Sequence, residues 1–292
     1  GGLLRLLLGT GRAQHMTAAA NVFVGQTEAP LVVRPYLGQI SNPQLFAIMT
    51  TGMASVSGSV LAAYAQMGID IDYLLAASFM SAPGGLLMAK IIMPDEKAPR
   101  QTQDEPAHVA ATNPEPEAAR HSNVIMAAAT GAQDGLILAA SIGAMLIAFV
   151  SLIALLNGAL GALGGLAGFE DISLQRLLGF VFAPVMWLLD VPWSEARQAG
   201  AAFGEKLILN EFVAFLHLGE IRETLSPRTV AITTFALCGF ANLSSIGILM
   251  AALNTLTPKR APDMARYGLH VVAAGSLSNL MSAALASLFI PG

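Results

Sequence analysis

The sequence predicts an all-α membrane protein made of inverted repeats, each a re-entrant helical hairpin followed by a broken transmembrane helix. The first observation behind this prediction is composition. Only 12% of the 292 residues are charged and 54% are hydrophobic, whereas a soluble domain carries about 25% charged residues. The second observation is a series of long uncharged blocks. The third is a pair of short apolar segments that each hold an amide and a carboxylate side by side.

The composition also excludes several classes of protein. A mean hydropathy of +0.62 excludes a soluble enzyme, and it excludes a disordered chain, which is poor in apolar residues. Fifteen basic against 19 acidic residues provide no basic field for nucleic-acid binding. The single cysteine, Cys238, has no partner for an internal disulfide, and no Cys/His cluster has zinc-ligand spacing. The five histidines are scattered, so we expect no proton relay among them.

Five spanning helices are predicted from the blocks that lack Asp, Glu, Lys and Arg. Each is long enough for the ~17–25 residues that a helix needs to cross ~30 Å of hydrocarbon. The predicted spans cover residues 43–67, 71–92, 135–167, 228–255 and 264–289. The third block is too long for a straight span, so we expect its glycine-rich end to be bent or interfacial. The sequence pattern over residues 122–134 predicts a separate short amphipathic helix.

A polar stretch divides the chain. Five prolines stand among charged and polar residues between 94 and 121, which is typical of a flexible linker. We therefore predict an N-terminal unit, residues 1–92, a linker, residues 93–121, and a C-terminal unit, residues 122–292. The first unit holds one hairpin, a broken helix and the following span. The last holds a scaffold helix, an interfacial helix over residues 172–189, the second hairpin and the second broken helix.

The short turns predict orientation. The turn before the second span carries Asp70 and Asp72, whereas the turn before the last span carries Lys259, Arg260 and Arg266. Positive residues remain on the cytoplasmic side, so we expect the linker in the cytoplasm and the C-terminus outside. The chain is predicted to cross a plasma membrane several times, or the inner membrane in a bacterium.

The two predicted hairpins carry polar tips. Gln26, Thr27 and Glu28 lie between Gly25, which permits a chain reversal, and Pro30, which suits the first turn of a helix. In the second hairpin, Asn210 and Glu211 interrupt an apolar run. A charged group at membrane depth costs about 2.5–3.5 kcal/mol on insertion scales, so such residues usually line a cavity or a pathway.

Each predicted hairpin is followed by a span with Gly, Ser, Thr or Asn near its middle, at residues 50–60 and 238–247. Such interruptions free backbone carbonyls, which is tolerated in a membrane only where the backbone lines a cavity. A hairpin plus a broken helix, occurring twice, is typical of transporters that bind substrate at the midplane between repeats. The predicted orientation makes the two repeats inverted.

These motifs resemble the concentrative nucleoside transporter family. The resemblance rests on GQTEAP (residues 25–30), GMASVSGSV (residues 52–60), NEF (residues 210–212) and GFANLSSIG (residues 239–247), which occur in the family's order. The family's N-terminal part, about three helices, has no counterpart, so we interpret the chain as a fragment. The resemblance implies a homotrimer in which an inner transport domain moves against a scaffold, carrying a nucleoside with a coupling ion.

The resemblance also implies binding residues. Gln26, Thr27 and Glu28 match the positions that contact the base, Val60 would flank the base, and Phe240 would pack near it. The ribose-binding positions correspond to Glu211, Asn242 and Ser245. Sodium ligands correspond to the Asn21 side chain, the Val24 and Val56 carbonyls, and the hydroxyl or carbonyl of Ser55.

The chemistry of these side chains fits a nucleoside. An ionised Glu and an Asn amide accept hydrogen bonds from vicinal hydroxyls, and Gln and Thr match a base edge. The expected function is therefore import of purine or pyrimidine nucleosides by ion symport, with sodium favoured and a proton as the alternative, and without an organic cofactor or enzymatic activity. Two other classes stay open: a channel or carrier for another small polar solute, and a non-transporting scaffold or receptor.

Overall fold

The computed structural model describes residues 11–95, 124–166, 168 and 172–291, and the regular secondary structure in these ranges is helical. The predicted all-α fold is therefore confirmed for the described part of the chain. Most of the predicted linker, from residue 96 to 121, lies outside the described residues.

Eleven α-helices and three 3₁₀ segments make up this described part of the chain. In order they are α1 (Arg12–Asn21), a 3₁₀ helix (Ala29–Tyr36), α2 (Asn42–Ala54), α3 (Gly58–Gln66), α4 (Ile71–Ile92), α5 (Val124–Leu166), α6 (Leu174–Leu188), α7 (Trp193–Ile208), α8 (Glu211–Ile221), a 3₁₀ turn (Arg222–Thr224), α9 (Pro227–Leu237), α10 (Leu243–Leu256), a 3₁₀ turn (Pro258–Arg260) and α11 (Ala261–Ser287).

Two of the predicted spans are broken helices. The first begins at a capping box, in which the Ser41 hydroxyl accepts from Gln44 N and the Gln44 side chain accepts from Ser41 N. It then divides into α2 and α3, with residues 55–57 between them. The second begins at the Ser226 cap and divides into α9 and α10, with residues 238–242 between them. Both breaks fall within the Gly/Ser-rich stretches that predicted them.

The other three predicted spans correspond to long helices. Among the described residues, three helices are long and apolar enough to cross a membrane, namely Ile71–Ile92, Ile147–Leu166 and Pro258–Ser287. A fourth crossing is possible by the same criteria if the bent pair of α6 and α7 forms one span. The chain is thus a helical membrane protein.

The expected division of the third span is wrong. The structure has one continuous helix of 43 residues, α5, where the sequence predicted a separate short helix over residues 122–134. The expected bent or interfacial end at the glycines stays a prediction. Glycine in a helix costs only about 1 kcal/mol relative to alanine, and a break in apolar surroundings would leave several backbone groups without partners.

The chain separates into two compact units, residues 1–95 with 155–292 and residues 96–154. In the first unit, α2, α4 and α11 share a core that includes Phe46, Leu86 and Val271, all fully buried. Segments from both sides of the predicted linker therefore belong to this one core. Within the second unit, the described residues form the first part of α5.

Glycines allow the closest helix contacts. Helices α6 and α7 are bent by 116° relative to each other. A Cβ added at Gly179 would lie 2.6 Å from the Arg197 carbonyl oxygen, and one added at Gly200 would lie 2.8 Å from Ala183 N. Both distances are shorter than any real Cβ contact, so these positions exclude a side chain without backbone movement.

We expect Gly200→Ala to destabilise the protein, because the methyl group would press on the backbone of α6. Overpacking of this kind costs about 1–3 kcal/mol, which should lower the midpoint of thermal unfolding in detergent. Gly161→Ala in α5 is the matched control, because a Cβ there meets nothing within 4 Å. Equal unfolding midpoints for the two variants would contradict the described packing of α6 on α7.

Candidate functional site

The two helix breaks meet each other. Phe240 N donates a hydrogen bond of 3.1 Å to the Ser55 carbonyl. A backbone N–H of the second break is therefore paired with a backbone carbonyl of the first break. The neighbouring Gly239 has no room for a side chain, because an added Cβ would lie 2.7 Å from the Ala54 carbonyl oxygen. The contact requires glycine at this point.

The side-chain amide of Asn279 also connects the two breaks. Asn279 of α11 donates from Nδ2 to the Ala54 carbonyl at 2.8 Å and to the Cys238 carbonyl at 2.9 Å. Its Oδ1 accepts from the Lys206 ammonium at 2.7 Å, and Lys206 also donates to the Ala236 carbonyl at 2.8 Å. Lys206 and Asn279 are both buried.

A carboxylate lies at the start of α8. Glu211 is 6% exposed, and it is the first residue of the helix, where the helix dipole favours a negative charge. Its Oε1 accepts from the Tyr64 hydroxyl at 3.2 Å, and its Oε2 accepts from Asn242 Nδ2 at 2.9 Å. Tyr64 stacks on Phe215 with ring centroids 4.2 Å apart. Glu211 is thus held by residues from α3 and from the second break.

Asparagines begin both helices at this cluster. Asn210 is the N-cap of α8 and accepts from Val213 N at 2.9 Å, and Asn242 is the N-cap of α10 and accepts from Ser245 N at 2.7 Å. The Ser244 hydroxyl lies 2.8 Å from Asn242 Oδ1 and 3.1 Å from the Leu209 carbonyl oxygen. The start of α10 therefore contacts the short loop between α7 and α8.

The loop after α1 lies against the first break. Gly58 N donates to the Phe23 carbonyl at 3.2 Å, and a Cβ added at Gly52 would lie 3.3 Å from Gln26 Cβ. Asn21, just before this loop, is 1% exposed, and both of its amide atoms lack a hydrogen-bond partner within the described residues. An unsatisfied buried polar group costs about 1–3 kcal/mol, so this amide suits a bound partner.

The predicted base-contacting residues differ in environment. Gln26 is buried with its Oε1 unpartnered among the described residues, Thr27 is half-buried and Glu28 is exposed. The Glu28 carboxylate lies over Gly25, where an added Cβ would be 2.5 Å from it. Val60 is half-buried, one helical turn before Tyr64. The roles of these residues stay predictions.

The other predicted residues lie at or beside the two breaks. Ser55 and Val56 are buried within the first break, and the Ser55 hydroxyl donates to the Gly52 carbonyl at 3.3 Å. Phe240 is half-buried in the second break, and Ser245 is buried in the first turn of α10. Val24, which is 38% exposed, follows Phe23 in the loop after α1. Their roles in binding also stay predictions.

Sequence reasoning missed Tyr64, Lys206 and Asn279. The criterion that selected Glu211, an ionisable residue inside an apolar segment, applies equally to Lys206. Tyr64 follows Val60 by four residues and therefore lies on the same face of α3. Asn279 is an amide within the uncharged sequence of the last span, which is a weaker signal.

The expectation that the histidines form no proton relay stays a prediction, but the structure gives His217 an acidic partner that the sequence analysis did not identify. Its Nδ1 lies 2.6 Å from Glu205 Oε2, and the Gln175 amide donates to Glu205 Oε1 at 2.8 Å. His217 and Gln175 also line a cavity of about 460 Å³ together with Arg176 and Arg197. The two partners are 12 residues apart on different helices, so sequence spacing did not pair them.

Buried polar groups at two helix breaks in a helical membrane protein are typical of membrane transport proteins. Residues 73–287 match the family model described as "Na+ dependent nucleoside transporter C-terminus". The chain therefore belongs to the concentrative nucleoside transporter family, which is a family of transporters and not of enzymes.

Curated relatives agree with this family. The chain is 50% identical to the "Nucleoside permease NupC" of Helicobacter pylori, covering 99% of this chain and 68% of that protein. It is 49% identical to the "Uncharacterized transporter YutK" of Bacillus subtilis, covering 99% and 70%. The "Sodium/nucleoside cotransporter 1" of Oryctolagus cuniculus is 34% identical, with coverage of 99% and 45%.

Solved structures agree as well. The chain matches the transporter CNTnw in an inward-facing substrate-bound state with a TM-score of 0.88 at 50% identity, covering 99% of this chain and 67% of that one. It matches an outward-facing, doubly substituted form of CNTnw with a TM-score of 0.92, also at 50% identity, covering 99% and 68%.

We expect Tyr64→Phe to lower the free energy of unfolding by about 1–3 kcal/mol, because the buried Glu211 carboxylate loses a hydrogen-bond donor. Thermal unfolding of the purified protein measures this change. Tyr73→Phe is the matched control, because the Tyr73 ring packs on Phe235 and no described hydrogen bond involves its hydroxyl. If Tyr64→Phe is as stable as Tyr73→Phe, the hydrogen bond from Tyr64 to Glu211 does not contribute to the free energy of unfolding.

Proposed function

We propose that the protein imports nucleosides across the plasma membrane by symport with sodium. The observation that carries this proposal is the Glu211 cluster, a buried carboxylate at a helix start between two broken helices, in a chain of the nucleoside transporter family. A proton is the alternative coupling ion.

Ribose recognition follows from the hydrogen-bonding capacity of Glu211. An ionised carboxylate offers about four acceptor positions, and Tyr64 and Asn242 occupy one on each oxygen. Two positions then remain, which matches the two vicinal hydroxyls of a ribose. Asn242 holds the carboxylate in place, and Ser245, whose backbone N–H is bound by Asn242, contributes its hydroxyl.

Base recognition is assigned to the loop after α1. Gln26 and Thr27 offer both donors and acceptors to the edge of a base, and the unpartnered Gln26 oxygen supports this role. Glu28, which is exposed, would turn from Gly25 to accept from the base. Val60 and Phe240 supply apolar contacts to the flat faces of the base.

Sodium binding is assigned to the junction between the loop after α1 and the first break. Sodium is coordinated by carbonyls of unwound backbone in transporters, here those of Val24 and Val56, with oxygens of Ser55 and Asn21. Two observations support this set. The buried Asn21 amide has no described partner, and the bond from Gly58 N to the Phe23 carbonyl brings the two segments together.

Transport is proposed to follow an elevator-type cycle in a homotrimer embedded in the lipid bilayer. In this cycle the helices that carry the nucleoside and the ion move as one body against a scaffold, which exposes the bound nucleoside alternately to the two sides. Support comes from the family and from the solved structures of CNTnw in inward-facing and outward-facing states.

We expect Glu211→Gln to abolish uptake of radiolabelled uridine or adenosine by vesicles that contain the full-length protein. The amide replaces two ionised acceptors with one neutral acceptor, and hydrogen bonds to charged groups are the stronger ones. Asn242→Ala should have the same effect, because it removes both the cap of α10 and a donor to Glu211.

Glu223→Gln is the control for Glu211→Gln, because Glu223 is exposed in the 3₁₀ turn after α8. Its uptake should equal that of the unsubstituted protein. Unchanged uptake in Glu211→Gln or Asn242→Ala would refute the assignment of the nucleoside site. If an excess of unlabelled nucleosides does not reduce the measured uptake, the result would favour a carrier for another polar solute.

We expect uptake to stop when sodium is replaced by choline at constant ionic strength, because the cation completes the ligand set around Asn21. Asn21→Leu should reduce the response to sodium in the same assay. Uptake that persists in choline and collapses with a proton uncoupler would reject sodium in favour of the proton.

A further inference from the structure

We propose that Asn279 is a positioning residue that couples the cation site to the nucleoside site, with Lys206 fixing the orientation of its amide. This inference rests on the proposed function, and it adds two residues that touch neither the nucleoside nor the ion. Through the Asn279 side chain, occupancy of one site changes the affinity of the other site for its ligand.

The position of Asn279 carries the proposal. Its Nδ2 donates to the Ala54 carbonyl and to the Cys238 carbonyl. Ala54 is followed directly by Ser55 and Val56, which are proposed sodium ligands. Cys238 is two residues before Phe240, which is proposed to contact the base. One amide nitrogen therefore bridges the backbone segments of both sites.

The Lys206 ammonium decides which way the Asn279 amide points. An ammonium donates and never accepts, so it requires the amide oxygen, and the structure has Lys206 Nζ 2.7 Å from Asn279 Oδ1. The Nδ2 group is then directed at the two carbonyls. A neutral side chain in place of Lys206 would remove this constraint.

A backbone contact parallels the amide bridge. The Ser55 carbonyl accepts from Phe240 N at 3.1 Å, and Gly239 lies so close that a Cβ would be 2.3 Å from Asn279 Oδ1. A cation drawn to the Ser55 carbonyl oxygen therefore acts on a group already bonded to the second break. Because coupling free energy is reciprocal, a nucleoside held at Phe240 and Asn242 strengthens sodium binding equally.

Asn279→Asp tests the coupling most directly. The aspartate keeps the size of the side chain and an acceptor for Lys206, but it directs an oxygen at the two carbonyls that Nδ2 bonded. Nucleoside affinity is measured by titration calorimetry of uridine or adenosine into the purified full-length protein, at saturating sodium and with choline. The readout is the ratio of the two dissociation constants.

We expect the unsubstituted protein to show a ratio in the usual range for coupled sites, about 5- to 150-fold, and Asn279→Asp to reduce it to less than about twofold. Ser282→Ala is the matched control, because Ser282 is buried three residues later on α11 and its described hydrogen bond, to the Ser278 carbonyl, stays within that helix. Its ratio should stay unchanged. Loss of stability alone does not alter this ratio in the folded fraction.

Lys206→Met is the second variant, since an apolar side chain of similar length replaces a buried charge. We expect an intermediate ratio, because the amide keeps its position but loses its fixed orientation. If either variant retains the full ratio, the coupling role of that residue is overturned. If the unsubstituted protein binds no nucleoside, the proposed function itself fails and the coupling proposal fails with it. If it binds nucleoside equally in choline, sodium coupling is rejected, and the coupling proposal fails while nucleoside binding stands.

Discussion

Unpaired backbone groups at a helix break are the constraint on which this structure depends. In a hydrocarbon environment each such group costs several kcal/mol unless the protein supplies a partner. The break after Ala54 and the break after Leu237 supply partners to each other, through the bond from Phe240 N to the Ser55 carbonyl. The Ala54 and Cys238 carbonyls are satisfied by Asn279. Neither break would be stable without the other.

This mutual dependence also explains the buried charges. A lone buried charge is strongly unfavourable, whereas charges that are hydrogen-bonded and accompanied by an opposite charge are tolerated. Lys206 and Glu211 lie near the facing ends of α7 and α8, and each is bound by at least two described groups. The Lys206 ammonium donates hydrogen bonds to the Ala236 carbonyl and to Asn279, and so stabilises the backbone at the breaks. The carboxylate retains free acceptor positions, which leaves it available for a ligand.

The sequence was sufficient for the features that depend on local pattern. Uncharged length predicted the long helices, and Gly and Ser within apolar sequence predicted both breaks. It was insufficient where a feature depends on residues far apart in the chain. Tyr64 and Glu211 are 147 residues apart, and Asn279 and Ala54 are 225 apart. The continuity of α5 depends on something else, the cost of leaving backbone groups unpaired at a break, which residue composition does not reveal.

Two groups crowd the α-carbon of Gly239. The space that a side chain would need there is already filled by the Asn279 amide and the Ala54 carbonyl. A shorter side chain at position 279 would relieve only the first of these contacts, because the second is made by backbone. A residue larger than glycine at position 239 therefore requires movement of the first break itself, so this glycine sets how closely the two breaks approach each other.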